Sequence, residues 1–289
     1  MTISCFINGG FGNQLFQIFA TIAYGLEHNQ LFLFQYFDHT GLRRTYWRNF
    51  LNHLAILTTA NPIHEISNSD IDQYPVIHEQ QEMKYTPLPI PTTNVRLHGY
   101  FQSPRYFEKY RDDIFTLIQL EAQKQQIWQI YDNYFMGQIA LSIPVISMHF
   151  RLGDYKNNPC HNILKVDYYD RAIDRMQLLY NAPPIMRILY FCEEEDNDAV
   201  YDKIQQLSGK YPTIDFIKVD DQIEDWKQVL IMSLCNSNII ANSTFSWWGA
   251  YFNTSASKQV IYPKQWFGVG LAHINMKDSD TFPQDWIRI

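Results

Sequence analysis

The chain has 289 residues, 46% hydrophobic and only 18% charged, which excludes a disordered protein and, at about 150 residues per domain, suggests two domains. A net charge of -7 excludes a protein built chiefly to grip a nucleic-acid backbone. Aromatic residues make up 16% of the chain, a surplus that can line a cleft where flat rings suit nucleobases and the C–H faces of sugars.

Residues 3–7 are an apolar run suited to a buried parallel strand. No basic leader precedes them, and nothing approaches about 18 consecutive apolar residues. The expectation is a protein without signal peptide or transmembrane segment, cytoplasmic or peripheral to a membrane. A turn at residues 8–13 leads into a helix whose apolar face carries Leu15, Phe16, Phe19, Ile22, Ala23 and Leu26. Residues 31–37 suggest a second strand. Residues 74–94, with Pro75, Pro87, Pro89 and Pro91, read as an extended loop, and 95–100 as a strand.

A helical stretch over 107–135, broken once, ends before Gly137 and Pro144, which mark the expected domain boundary. Strands are then expected at 145–150, 185–191, 214–219 and 239–241, and helices at 168–179, 225–234 and 245–252. This alternation predicts an α/β fold of two doubly wound domains facing a cleft, residues 1–140 and 141–289. Cys5, Cys160, Cys192 and Cys235 are scattered without a C-x-x-C pair, so reduced thiols are expected.

Three segments fall where strands end and turns begin, the usual place for ligands in open α/β sheets. In Gly9-Gly10-Phe11-Gly12-Asn13-Gln14, glycines permit close backbone approach at a helix start. The third glycine of a dinucleotide fingerprint is missing, and no Gly-Lys-Ser/Thr follows, so neither a Rossmann nor a P-loop signature is present. A tight structural turn is the plain alternative. In the second segment, His149 and Arg151 share one side of a strand end, and the arginine offers a planar fork of donors for phosphate. The plain alternative is an Arg151–Asp154 ion pair with His149 as a core residue. The third segment is Asn242-Ser243-Thr244-Phe245-Ser246-Trp247-Trp248-Gly249-Ala250. Its hydroxyls cap a helix, and the same helix start suits an anion. The tryptophan pair serves either packing or a pocket wall.

Together these pieces describe a site for a nucleotide diphosphate without a metal cage. Three D-x-D triplets, at Asp70-Ile71-Asp72, Asp196-Asn197-Asp198 and Asp278-Ser279-Asp280, are expected to be solvated loops, although a metal-dependent transferase using Asp196 and Asp198 is an alternative.

The three segments, with Gly99-Tyr100-Phe101-Gln102-Ser103-Pro104-Arg105-Tyr106-Phe107 between them, resemble the α-1,2-fucosyltransferase family. The N-terminal signature extends through Leu15-Phe16-Gln17, and His149-x-Arg151-x-Gly153-Asp154-Tyr155 is similar to the family's H-x-R-R-x-D motif. The match runs in order from residue 8 to about 253. The resemblance implies a GT-B-like architecture of two Rossmann-like domains, the N-terminal one on the acceptor side and the C-terminal one binding the GDP-sugar. It implies an inverting, metal-independent glycosyltransferase without a cofactor, using GDP-fucose as co-substrate and a glycan acceptor such as terminal galactose, and no nucleic acid partner. Arg151 and Asp154 become the catalytic candidates. His149, Arg151, Asn242, Ser243, Thr244, Phe245 and Ser246 become donor-binding, and Gly10, Gly12, Asn13 and Gln14 lie on the sugar or acceptor side. Leu152 stands where the family has a second arginine, and Cys192-Glu193-Glu194 where it has Ser-Asp-Asp. Asp154, His161, Glu193 and Asp38 are all open as the general base. The alternatives are another donor sugar or acceptor hydroxyl on the same fold, or a non-catalytic GDP-sugar-binding module.

Overall fold

The computed structural model describes every residue except 137, 139–141, 275, 277 and 278. Gly137, the expected boundary after residue 140, and Asp278 of the third triplet lie outside the described residues. The chain forms two compact units, Met1–Ala122 with Asn275–Pro283, and Gln123–Ile274 with Gln284–Ile289. The division falls inside a helix, where no glycine or proline announces it. The returning segment is tied to the first unit by backbone bonding of Asp280 N to Met83 O (3.1 Å) and by Thr281 Oγ1 donating to Gln102 O (2.5 Å).

In the first unit, β1 (Thr2–Cys5) leads through the glycine turn into α1 (Phe11–Glu27) and then β2 (Leu31–Phe32). A hairpin of β3 (His39–Thr40) and β4 (Arg43–Arg44) and a short α2 (Asn68–Asp72) follow. β5 (Val76–His78), β6 (Val95–His98) and α3 (Arg111–Leu117) complete the unit. The main sheet has the order β2-β1-β6-β5 and is parallel throughout. β5 corrects the expected loop over 74–94. It is an edge strand with Val76 and His78 exposed, so it carries no buried apolar run to reveal it. The strand expected over 31–37 is only two residues long, and Phe34 continues it as an isolated bridge to Thr58. The long helical stretch breaks at Gln119, whose φ is +53°, between α3 and α4 (Leu120–Ile130).

The second unit begins its sheet with β7 (Val145–His149), buried at every position, as expected of a central parallel strand. α5 (Val166–Leu179) turns Tyr169, Ala172, Ile173 and Met176 inward at helical spacing. It leads to β8 (Met186–Phe191), α6 (Asn197–Lys210), β9 (Ile214–Lys218) and α7 (Asp225–Leu234). β10 (Ser237–Ile239) starts two residues before the expected strand and leads to α8 (Thr244–Tyr251). β11 (Val260–Tyr262) and β12 (Ile287–Arg288) close the edge and were not expected, being too short to carry a period.

The sheet order is β12-β11-β10-β7-β8-β9, all parallel. Counted from the first strand, this is the doubly wound order in which the chain runs outward one way and then the other. The reversal lies between β7 and β10, so the crevice beyond their carboxyl ends is where such a sheet binds ligands. Trp247 and Trp248 are fully buried in α8. The pair is core, which settles the choice that spacing left open.

Candidate active site

Arg151 follows β7 and Asn242 follows β10, and these strands pair with Met148 opposite Ile239. The topology therefore brings two distant sequence segments to the reversal point. Arg151 is mostly buried and its guanidinium is held on two sides. Nη1 donates to Glu193 Oε1, and Nη2 donates to Asp154 Oδ1 at 2.5 Å. Burial works against its charge, but Glu193 and Asp154 outweigh it and raise the pKa above the ordinary arginine value. The guanidinium also sits 5.1 Å from the centre of the Tyr155 ring. The plain alternative of an Arg151–Asp154 ion pair is thus present, and it coexists with a placement suited to phosphate.

Tyr155 anchors the same loop. Its hydroxyl donates to Asn242 O at 3.0 Å, and its ring stacks on His161 at 3.9 Å and 7°. Burial pushes the phenol up to about 12, so it remains a neutral donor near neutral pH. Burial also lowers the pKa of His161, against the attraction of Asp154. Gly153 N donates to Asp196 Oδ2 at 2.7 Å, and Lys156 Nζ donates to Asp196 Oδ1 at 2.6 Å. Asp196 is fully buried. It is no solvated loop residue, and both carboxylate oxygens are engaged in fixing the Arg151 loop. Asp70 belongs to the capping box of α2, Asp72 pairs with Arg96 at 2.8 Å, and Asp280 pairs with Arg105 at 3.2 Å.

His149 is 6% exposed, and its Nδ1 lies 3.0 Å from Ser246 Oγ. Burial, helped by the charge of Arg151, pushes its pKa down to about 3, so the imidazole is neutral near pH 7. Phe245 lies against it, ring centres 5.4 Å apart. Ser243 caps α8 by accepting from Phe245 N at 3.3 Å, and Ser246 Oγ accepts from Ala241 N at 3.2 Å. Asn242 is almost wholly buried, and its amide donates to Asn162 O (2.8 Å) and Trp266 O (2.9 Å). The Asn242, Ser243 and Ser246 side chains are therefore engaged within the protein, and α8 starts at Thr244, five residues after the end of β10.

The glycine turn belongs to the first unit and is built from its own bonds. Gly10 caps α1, so Phe11, Gly12, Asn13 and Gln14 stand inside the helix rather than ahead of it. Phe11 is core, packed on Tyr46 and Phe50. Gln14 is buried and donates to Gly9 O (2.9 Å) and Arg44 O (2.8 Å). Asn13 Oδ1 accepts from Gln102 Nε2 at 3.0 Å, which joins the first motif to the segment at 99–107. Asp38 of this unit is exposed and pairs with Arg48 at 3.1 Å.

Sequence reasoning missed Asp196 and Lys156 as supports of the Arg151 loop, and Gln102 as the partner of Asn13. No short-range signal marks them, because each acts across dozens of residues. All four cysteines are free, and all but Cys160 are buried. No helix of the described residues is long and apolar enough to cross a membrane.

A family model described as Glycosyl transferase family 11 matches residues 2–289, essentially the whole chain. The chain belongs to glycosyl transferase family 11. This agrees with the resemblance carried by the four motifs. Among curated relatives, an O-antigen biosynthesis glycosyltransferase, WbnK, of Escherichia coli is 30% identical over 182 residues, 59% of this chain and 55% of the relative. An α-1,2-colitosyltransferase of Escherichia coli is 24% identical over 204 residues, 68% of this chain and 63% of the relative. The family 11 chain thus matches less than two thirds of the length of either relative. Among solved structures, an ADP-heptose lps heptosyltransferase II of E. coli superposes with a TM-score of 0.50 at 11% identity, over 100% of this chain and 90% of that one. The fucosyltransferase NodZ from Bradyrhizobium gives 0.46 at 10% identity, over 86% of this chain and 91% of that one. At 11% identity the heptosyltransferase superposition speaks for the fold alone, which is GT-B.

Proposed function

We propose that this family 11 chain transfers L-fucose from GDP-β-L-fucose to O2 of a terminal galactose, with inversion and an α-1,2 linkage. The observation that carries the reading is that the Arg151 loop and the start of α8 follow the paired strands β7 and β10, where the strand order reverses, and are joined there by Tyr155 to Asn242 O (3.0 Å) and His149 to Ser246 Oγ (3.0 Å). As the bond between fucose and diphosphate breaks, negative charge grows on the β-phosphate. A fixed guanidinium and the positive end of a helix stabilise that charge, and this is the largest catalytic contribution available to such a site. Glu193 and Asp154 each take one of the five guanidinium N–H groups, so phosphate oxygens accept from the others or compete for these two.

Asp154 orients Arg151, and neutral His149 with Ser243, Thr244, Phe245 and Ser246 shapes the donor pocket. The sugar carbon takes on oxocarbenium character and is attacked from the opposite face by the acceptor hydroxyl. In this reading, one guanidinium and a helix end replace a metal ion, so transfer proceeds without one. The second unit holds the GDP-sugar, and the first serves the acceptor, with Gly10 capping α1, Gly12 and Asn13 in its first turn and the buried Gln14 bracing Gly9 O and Arg44 O.

A second reading keeps the chemistry and changes the donor sugar, which the relative named as an α-1,2-colitosyltransferase favours. Thermal shifts with GDP-fucose and GDP-mannose separate the two. The first reading expects a larger rise with GDP-fucose, and an equal or larger rise with GDP-mannose would favour the second.

A further inference from the structure

We propose that the first unit carries a monosaccharide subsite at the carboxyl end of β1, shaped for one neutral hexopyranose ring of the acceptor; this deepens, and rests on, the transfer reading above. A cavity of about 160 Å³ opens there, with Phe6, Phe37, His39, Thr40, Thr45 and Arg96 in its wall. A closed cavity of about 150 Å³ takes up benzene, so this one has room for a single ring, and the hydroxyls of a pyranose reach its mouth. It is well below the roughly 300 Å³ at which pockets for larger ligands begin, so a nucleotide sugar does not fit it.

Phe6 and Phe37 are 38% and 46% exposed, and both line this one small cavity. Aromatic faces left open to water in a concavity suit the C–H faces of a pyranose. The polar wall is equally specific. Arg96 is fixed by Nη1 donating to Asp72 Oδ1 (2.8 Å) and Nη2 to Gln35 Oε1 (2.7 Å), with its guanidinium 5.1 Å from the Phe6 ring centre. These bonds use two of the five guanidinium N–H groups and Nε is buried, which leaves one N–H on each terminal nitrogen for sugar hydroxyls. The Thr40 and Thr45 hydroxyls donate to Ile7 O (2.7 Å) and Phe37 O (2.5 Å), so toward the cavity they act as acceptors. Donors, acceptors and apolar rings in one small lining match a ring of hydroxyls with apolar faces. Asp72 cancels the charge of Arg96, which selects a neutral sugar over a carboxylate-bearing one.

Saturation-transfer NMR on the whole chain, with methyl glycosides of galactose, glucose and mannose as probes, reads this subsite without donor or turnover. Transfer to the ring protons of at least one neutral glycoside is expected, with affinity about tenfold weaker in Phe37→Ala. Phe37 stands well out in solvent, so the variant keeps its melting curve and its thermal response to GDP. No transfer to any of the three probes, an unchanged affinity in Phe37→Ala, or tighter binding of methyl galacturonate overturns the subsite. A chain that moves no fucose yet loses glycoside binding with Phe37 overturns the transfer reading and upholds the subsite.

Discussion

Glu193 closes on Gly153 so tightly that a Cβ at position 153 would overlap its Oε2, while its Oε1 accepts from Arg151. Gly153 also has a φ of +29°, outside the comfortable range of other residues. The glycine of the motif therefore lets a carboxylate reach the guanidinium. Gly153→Ala is expected to cost about 1–3 kcal/mol of stability and to loosen Arg151. Adding Glu193→Ala removes the clash and restores part of the loss in a denaturant melt. Equal stability of the single and double variants would show that the overlap has no consequence.

Glu193→Gln keeps the shape and removes a charge with which the incoming phosphate competes. GDP affinity is expected to rise about fivefold by calorimetric titration. Weaker binding would mean that Glu193 mainly holds Arg151 in place rather than competing for it.

His149 makes the second unit sensitive to acid. Its folded pKa of about 3 lies below the ordinary value near 6.5, so between these values the unfolded chain binds a proton that the folded chain does not. Its stabilising neutrality is complete above about pH 6.5 and is lost as pH falls toward 3, by up to about 1.4 kcal/mol per pH unit. Urea melts at about pH 5 and 7 should show a smaller pH effect in His149→Gln than in the wild type. Identical slopes would remove His149 as the cause.

Much of the second unit was legible in the sequence because β7 and β8 are largely buried runs of five and six residues and α5 is amphipathic. The 225–234 helix was expected with the observed ends, and the strand after Pro144 lost only its last residue. β5, β11 and β12 were invisible, since two or three residues at a sheet edge carry no period. The place of Arg151 and of the α8 start beside the strand-order reversal was legible because local chemistry marks both segments. The buried Asp196 was not, because its value lies in a loop more than forty residues away. The partners of Gln14 and Asn13, Arg44 O and Gln102 Nε2, become visible only when the chain is folded.

Gln102 offers a test of the first unit that leaves the donor site untouched. Gln102→Ala removes the 3.0 Å bond that holds the Asn13 amide. The account predicts a rise of about fivefold in the acceptor KM with GDP affinity unchanged. A loss confined to GDP affinity would place Asn13 on the donor side instead.

In the proposed reaction Arg151 stabilises the departing diphosphate as fucose moves to galactose. This role is tested most directly by incubating wild type and Arg151→Ala with GDP-fucose and a β-galactoside, in the presence of a chelator, and determining the product linkage and the rate of GDP release. The account predicts an α-1,2-fucosylated galactoside from the wild type and a rate about 10²–10³-fold lower in the variant. An unchanged rate in Arg151→Ala, or no fucosylated product from the wild type, would contradict it.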